Sequence, residues 1–98
     1  PLPDHPPTLF YHYSQNYLCT SNASLRRSLL LDAGLFDVDF QRWEDAELGV
    51  RLKRLGVGRH FVLSGYVFHL KPPVPTESRL QTARRDGESA ALLYHRYP

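Results

Sequence analysis

The chain is 98 residues long, 42% hydrophobic and 22% charged, which is the composition of a soluble globular protein with one domain at most. Its 12 Lys and Arg against 10 Asp and Glu leave a net charge of +2 spread over several segments, which argues against nucleic-acid binding. No apolar run approaches the roughly 18 residues needed to cross a bilayer, and no signal peptide is visible.

The N-terminal part of the chain is predicted to be extended. Residues 1–8 contain four prolines and should form an arm, because proline fixes φ and lacks a backbone donor. The composition of residues 9–13 and 17–20 favours two short strands, separated by a turn-like cluster at 14–16.

A first helix is predicted from about residue 24 to residue 33. Asn22 or Ser24 can cap its first turn, and Gly34 supplies the left-handed residue that ends it. The residues expected to face the core recur at helical spacing and are Leu25, Leu29 and Ala33.

A second helix is predicted to begin near Trp43 or Glu44 and to end at Gly56. Its apolar stripe, with spacings of four and three, consists of Leu48, Leu52 and Leu55. Glu47 and Arg51 stand at i,i+4 in the favourable order, and we expect them on the outer side of this helix.

The C-terminal part of the chain combines a strand, a linker and a helix. The apolar run at 61–69 is rich in β-branched and aromatic residues, which favours a buried strand. Residues 71–75 form a linker punctuated by prolines. Thr76 can cap a last helix that runs toward the C-terminus, although Gly87 weakens the expectation that this helix is continuous.

The main candidates for catalytic or binding residues are Trp43, Glu44 and Asp45, here called the acid motif. The plain interpretation is that carboxylates are favoured in the first turn of a helix. Asp45, however, continues the apolar stripe toward Leu48, so its carboxylate should point to the core or a cleft and should need a partner. An ionised carboxylate beside a flat aromatic ring suits a general base that acts on a sugar hydroxyl.

His69 is a second candidate, because it ends the predicted strand at 61–69. Ligands of open α/β sheets gather at the carboxyl ends of strands, where a neutral imidazole can bind a divalent metal. The alternative is a half-buried histidine that is hydrogen-bonded to the neighbouring backbone.

Four segments in order carry a resemblance to a known family. They are residues 20–27 (TSNASLRR), 33–37 (AGLFD), 43–52 (WEDAELGVRL) and 66–69 (YVFH). Their order and spacing together resemble the C-terminal half of the catalytic domain in family 2 and related GT-A glycosyltransferases. The resemblance covers roughly residues 17–70.

The resemblance implies an α/β fold, namely the C-terminal half of a GT-A, Rossmann-like glycosyltransferase domain with about three helices and a few strands. Such a half is incomplete as an isolated fold. The resemblance divides the chain into an arm at 1–8, an acceptor-binding and catalytic part at 9–70, and a linker with a C-terminal helix at 71–98. The family's nucleotide-binding half is absent and the sequence contains no methionine, so we expect a longer parent protein.

The resemblance also implies roles for individual residues. Asp45 matches the general base that deprotonates the acceptor hydroxyl in an inverting transfer from a nucleotide-diphosphate sugar, and Glu44 matches the acid that contacts sugar hydroxyls. Trp43 matches the approach to the acceptor, and Asn22 lies in a segment close to the donor sugar. His69 matches the histidine that, in some members, coordinates Mn²⁺ or Mg²⁺ on the diphosphate.

The sequence departs from the family pattern at several positions. Many relatives have Gly-Gly-Phe-Asp where this chain has glycine followed by Leu35, and a Gly-Gly pair where Trp43 directly precedes the acids. Asp37 and Asp39 spell the family's Asp-x-Asp metal motif, but they follow the first helix, so we interpret them as part of a loop and not as the metal site.

The parent is therefore predicted to be a hexosyltransferase-like enzyme with a sugar donor and a carbohydrate or lipid-linked acceptor, whereas the 98-residue fragment alone is predicted to be inactive. The alternative is a non-catalytic interaction module, or a fragment that self-associates through exposed strand edges and an apolar face. A single cysteine suits a reducing, cytoplasmic location. A further hypothesis is peripheral contact with the inner face of the membrane, through the basic residues of the last helix, Arg79, Arg84, Arg85 and Arg96.

Overall fold

The computed structural model describes residues 17–60, 62–68, 70 and 72–98. These residues form three α-helices and one short 3-10 helix: α1 at Arg27–Ala33, α2 at Glu44–Arg54, the 3-10 helix at Leu63–Gly65 and α3 at Thr76–Arg96. The three predicted helices are thus confirmed. The arm at 1–8 and the strand at 9–13 lie outside the described residues.

The predicted strands are not seen within the described part of the chain. Residues 17–20 form a bend followed by a turn, and the segment expected as the strand 61–69 instead contains the 3-10 helix. Its backbone closes locally, since the Gly65 N–H donates to the Val62 carbonyl at 3.0 Å and does not pair with another strand. The α/β fold stays a prediction.

Helix α1 is short, and its two ends differ from each other. It begins after Arg26 without a side-chain cap, so the predicted caps are wrong, and the Asn22 amide donates instead to a distant carbonyl. The predicted C-terminal signal is confirmed: Gly34 adopts a left-handed conformation with φ 92°, and its N–H donates to the Leu31 carbonyl at 3.1 Å.

Helix α2 carries the small hydrophobic core. Leu48 and Leu52 are 0% and 2% exposed, and Phe40 from the preceding loop is buried with them. Leu55 was expected on the same stripe, but it follows the last helical residue and is 60% exposed. The predicted stripe is therefore confirmed within the helix and wrong beyond its end.

A buried ion pair ties α2 to its neighbours, which corrects the prediction that Glu47 and Arg51 lie on the outer side. Glu47 is 1% exposed, and its carboxylate accepts hydrogen bonds from Arg51 Nε at 2.8 Å and from the Tyr97 hydroxyl at 2.6 Å. The Arg51 guanidinium also donates to the carbonyls of Ala33 and Leu35, each at 2.6 Å. The pair therefore joins α2, the end of α1 and the residue after α3.

Helix α3 is continuous through Gly87 and begins after Pro75, so Thr76 is its first residue and not its cap. Its C-terminal Arg96 forms ion pairs with Asp37 and with Asp39, both in the loop before α2. No helix in the described ranges is long and apolar enough to cross a membrane.

Candidate functional site

The candidate site lies at the N-terminal end of α2, where the segment 17–22 crosses the helix. The crossing is close at Gly49: a β-carbon there would lie 2.9 Å from the backbone nitrogen of Leu18 and 3.2 Å from the Tyr17 Cβ. Glycine at this position allows the two backbones to come this close, because any other residue would place a β-carbon between them. The segment is thereby brought over the acid motif one turn earlier in the helix.

Asp45 holds this segment in place. Its Oδ2 atom accepts hydrogen bonds from the Thr20 backbone N–H at 3.1 Å and from the Thr20 hydroxyl at 3.4 Å. Its Oδ1 atom accepts the Ala46 N–H at 2.8 Å, one of the donors that a helix N-terminus leaves without an intrahelical partner. The half-buried carboxylate therefore has partners, as the sequence predicts, and is fixed in orientation.

Asn22 lies on the same segment, two residues beyond Thr20. Its side-chain amide donates to the Gly65 carbonyl at 2.7 Å, which joins the segment to the 3-10 helix. The structure thus brings the Asn22 segment beside Asp45 through Thr20, while the Asn22 amide itself is committed to a backbone acceptor.

Trp43 and Glu44 complete the acid motif with different environments. Trp43 directly precedes α2 in a left-handed conformation, with φ 62°, and its side chain is exposed. Leu35 also has a positive φ, of 66°. Both residues therefore have a backbone conformation that glycine adopts more readily than other residues. Glu44 is half-buried in the first turn of α2.

Arg42 supplies the positive charge beside the acid motif. Its Nε donates to the Asp86 carboxylate of α3 at 2.7 Å, and this hydrogen bond raises the pKa of Arg42 above its ordinary value. The negative charges of Asp86, Glu44 and Asp45 raise the pKa of Arg42 further. The Asp86 carboxylate of α3 thus holds Arg42 next to the acid motif.

The described residues do not offer a ready metal site. The carboxylates of Asp37 and Asp39 pair with Arg96, and Asp45 is engaged by Thr20. The prediction that Asp37 and Asp39 belong to a loop is confirmed. Among the residues that the structure describes, no group of three or more His, Cys, Asp or Glu is placed to hold a cation, and His69 lies outside them.

Two cavities lie away from the acid motif. One, of about 160 Å³, separates α3 from the loop before α2 and is lined by Asp39, Gln41, Arg85, Glu88, Ser89 and Leu92. The other, of about 290 Å³, is lined by Asp32, Ala33, Arg51, Arg54, Leu55 and Tyr97. Neither is lined by a predicted site residue, so neither cavity belongs to the acid motif.

Sequence reasoning missed Thr20, Arg42 and Gly49, which shape the site. Only Gly49 left a signal, because a glycine inside a strongly helical pattern often marks a close backbone approach. Thr20 and Arg42 act through partners 25 and 44 residues away along the chain, and no local pattern indicates such partners.

No family model and no solved structure matches the chain. Over 49 residues, however, it is 39% identical to the uncharacterized glycosyltransferase YfnE of Bacillus subtilis (strain 168). The matched stretch is 48% of this chain and 12% of that protein, so the chain spans about an eighth of the length of this curated relative. The similarity supports a relationship to glycosyltransferases.

Proposed function

We propose that the chain is part of a GT-A, family 2 type glycosyltransferase that moves a sugar from a nucleotide-diphosphate donor to an acceptor hydroxyl with inversion. The observation that carries this proposal is the 39% identity over 49 residues to a glycosyltransferase. The resemblance of the four segments supports the finer assignment. The acid motif lies at a helix end and includes the exposed indole of Trp43, which supports its role in contacting sugar.

Asp45 is the proposed general base, and its hydrogen bonds are compatible with that role. An ionised carboxylate offers about four acceptor positions, and the donors from Thr20 and Ala46 occupy three, which leaves one for an acceptor hydroxyl. Because three donors fix the carboxylate, it needs little rearrangement when the hydroxyl arrives.

In the proposed reaction, Asp45 takes the proton of the acceptor hydroxyl while the acceptor oxygen bonds to the anomeric carbon. The bond from that carbon to the diphosphate oxygen breaks, and its electron pair leaves with the diphosphate. Glu44 contacts sugar hydroxyls, Trp43 stacks on the acceptor ring, and Asn22 borders the donor sugar. Mn²⁺ or Mg²⁺ with His69 as a ligand belongs to the proposal by resemblance, and it would offset the leaving charge.

The test is transfer by the full-length parent protein with a panel of nucleotide sugars, with Asp45→Asn alongside the wild type. Loss of a general base should lower kcat by about 10²- to 10⁴-fold. Asp32→Asn, which makes the same change on the exposed side of α1, is the matched control and should transfer at the wild-type rate. A wild-type rate in a folded Asp45→Asn variant would refute the base assignment.

A second variant tests whether Asp45 acts as the general base or only holds the segment 17–22 in place. Thr20→Val keeps the shape of the side chain and the backbone N–H bond but removes the hydroxyl bond to Asp45. If Asp45 only tethers the segment, both variants weaken the tether without removing it, because Thr20→Val keeps the backbone bond and Asn keeps one acceptor oxygen. Their losses of transfer should then lie within about tenfold of each other. If Asp45 is the base, the loss in Asp45→Asn should be at least about tenfold larger.

The second candidate function is an interaction module that associates through apolar surface. Large apolar side chains are exposed in several segments, among them Val38 at 92% and Leu70 at 74%. Such a surface favours pairing with a partner or with a second copy of the chain. Sedimentation of the 98-residue chain over a dilution series should show a concentration-dependent mass if the chain self-associates. A constant monomer mass would exclude self-association over that range.

A further inference from the structure

The loop that leads into the acid motif, residues 37–42, is built to hold one shape. Its central Phe40 is 4% exposed and belongs to the core. The Asp37 side chain accepts the Asp39 N–H at 2.9 Å, and the Asp37 carbonyl accepts the Phe40 N–H at 3.1 Å. The loop therefore has an internal turn and one apolar anchor, but its ends need further contacts to fix the direction of the chain.

Helix α3 supplies those contacts at both ends of the 37–42 loop. Arg96 pairs with Asp37 and, at 2.6 Å, with Asp39, and its guanidinium lies 5.3 Å from the centre of the Phe40 ring. Asp86 accepts a hydrogen bond from Arg42 at 2.7 Å. Because Asp86 and Arg96 are ten residues apart, the two contacts are separated by about 15 Å along the helix.

Between these contacts the loop and the helix do not pack tightly. The cavity of about 160 Å³ lies there, with Asp39 and Gln41 on the loop side and Arg85, Ser89 and Leu92 among the residues on the helix side. The ion pairs at the two ends therefore set the position of the loop along α3, since continuous side-chain packing does not.

We infer that α3 is a positioning element for the acid motif, with Asp86 and Arg96 as positioning residues that set the direction of the Trp43 indole. Arg42 directly precedes Trp43, so a shift of the Arg42–Asp86 pair turns the peptide that carries the indole. The positioning role itself does not depend on the proposed function, but its effect on acceptor binding rests on that function. Loosening the Arg42–Asp86 pair should weaken binding of the acceptor and leave the chemical step unaffected.

The first test does not depend on activity. Trp43 is the single tryptophan of the 98-residue chain, so acrylamide quenching of its fluorescence reports on this position alone. Asp86→Asn should increase the quenching of Trp43. Glu88→Gln removes the same charge from α3 two residues away, where the ion-pair partner is the exposed Arg84 at 3.5 Å, and should leave the quenching unchanged.

The charge exchange Arg42→Asp with Asp86→Arg is the rescue variant. Each single reversal places like charges opposite one another and should increase the quenching of Trp43, while the double exchange restores an attractive pair and should return it toward the wild-type value. Rescue shows that the two charges act through each other. Far-UV circular dichroism of each variant separates this effect from general unfolding, because an unfolded variant loses its helical signal.

The second test uses sugar transfer by the full-length parent. Asp86→Asn should raise the acceptor KM by up to about fivefold, the largest effect expected of a partly exposed ion pair, with kcat unchanged. If Asp86→Asn and Glu88→Gln give the same quenching and the same acceptor KM, the inference is overturned. A parent that transfers no sugar, together with a clear change in Trp43 quenching, would instead refute the proposed function and uphold the positioning role.

Discussion

The buried carboxylate of Glu47 is the feature whose removal should weaken the fold most. Glu47→Gln preserves the shape of the side chain but removes the charge that faces Arg51. The pair has three hydrogen bonds of 2.7–3.0 Å, with side chains 1% and 22% exposed, and the Tyr97 hydroxyl adds a fourth bond. Breaking a buried pair by removing one partner costs about 3–5 kcal/mol.

We expect the lower end of this range, about 3 kcal/mol, because Arg51 keeps its bonds to the Ala33 and Leu35 carbonyls and is partly hydrated. For a domain of this size each kcal/mol lowers Tm by about 4–8 °C, so the variant should unfold about 12–24 °C below the wild type. The assay is unfolding of the 98-residue chain by urea and by heat, followed by far-UV circular dichroism.

The matched control is Glu88→Gln, which makes the same substitution in another i,i+4 pair with arginine. Arg84 and Glu88 are 84% and 68% exposed, so this pair should contribute less than about 0.5 kcal/mol. If the two variants lost equal free energies of unfolding, burial would not be what makes the Glu47 pair important, and the reasoning would be refuted.

Three further predictions concern local backbone and pH. Gly49→Ala should lower the free energy of unfolding by about 1–2 kcal/mol, because its Cβ would meet the Leu18 nitrogen. Gly87→Ala, where a Cβ meets open space, should raise the free energy of unfolding by about 0.5–1 kcal/mol. Urea unfolding of both variants measures the difference. At Leu35, with its positive φ, the glycine variant should be about 1 kcal/mol more stable than the alanine variant, and the reverse order would contradict a left-handed backbone. Burial and a hydrogen bond to a carboxylate raise the pKa of Tyr97 above its usual 10.0. The stability that the neutral Tyr97 hydroxyl contributes is complete below the pKa of the unfolded chain and is lost as pH rises through the pKa of the folded chain. The urea midpoint of the wild type should therefore fall at alkaline pH, and in Tyr97→Phe this fall should be smaller.

The helices were within reach of sequence reasoning because their signals are local. The spacing of Leu48 and Leu52 placed the buried stripe of α2, and Gly34 marked the end of α1 through a backbone conformation that glycine adopts without strain. The acid motif could be placed for the same reason, since its position relative to the stripe of its own helix predicted that Asp45 would have partners.

Tertiary contacts decided what local patterns left open. The apolar run at 61–69 looks like a strand, but a strand forms only where another backbone pairs with it. In the described part of this run, the regular structure is instead the 3-10 helix at Leu63–Gly65. Glu47 looks like a surface residue by its i,i+4 relation to Arg51. It is buried because Tyr97, 50 residues later, and the end of α1 close over it.

The sequence by itself determined where the helices lie, which face of α2 is apolar, and that the acid motif begins this helix, because each depends on residues within a few turns of one another. The tertiary structure alone decided that Thr20 binds Asp45, that Asp86 and Arg96 hold the 37–42 loop, and that Glu47 is internal. The contacts of Thr20, Asp86 and Arg96 join residues 25 to 59 positions apart, and their formation depends on the packing of distant parts of the chain.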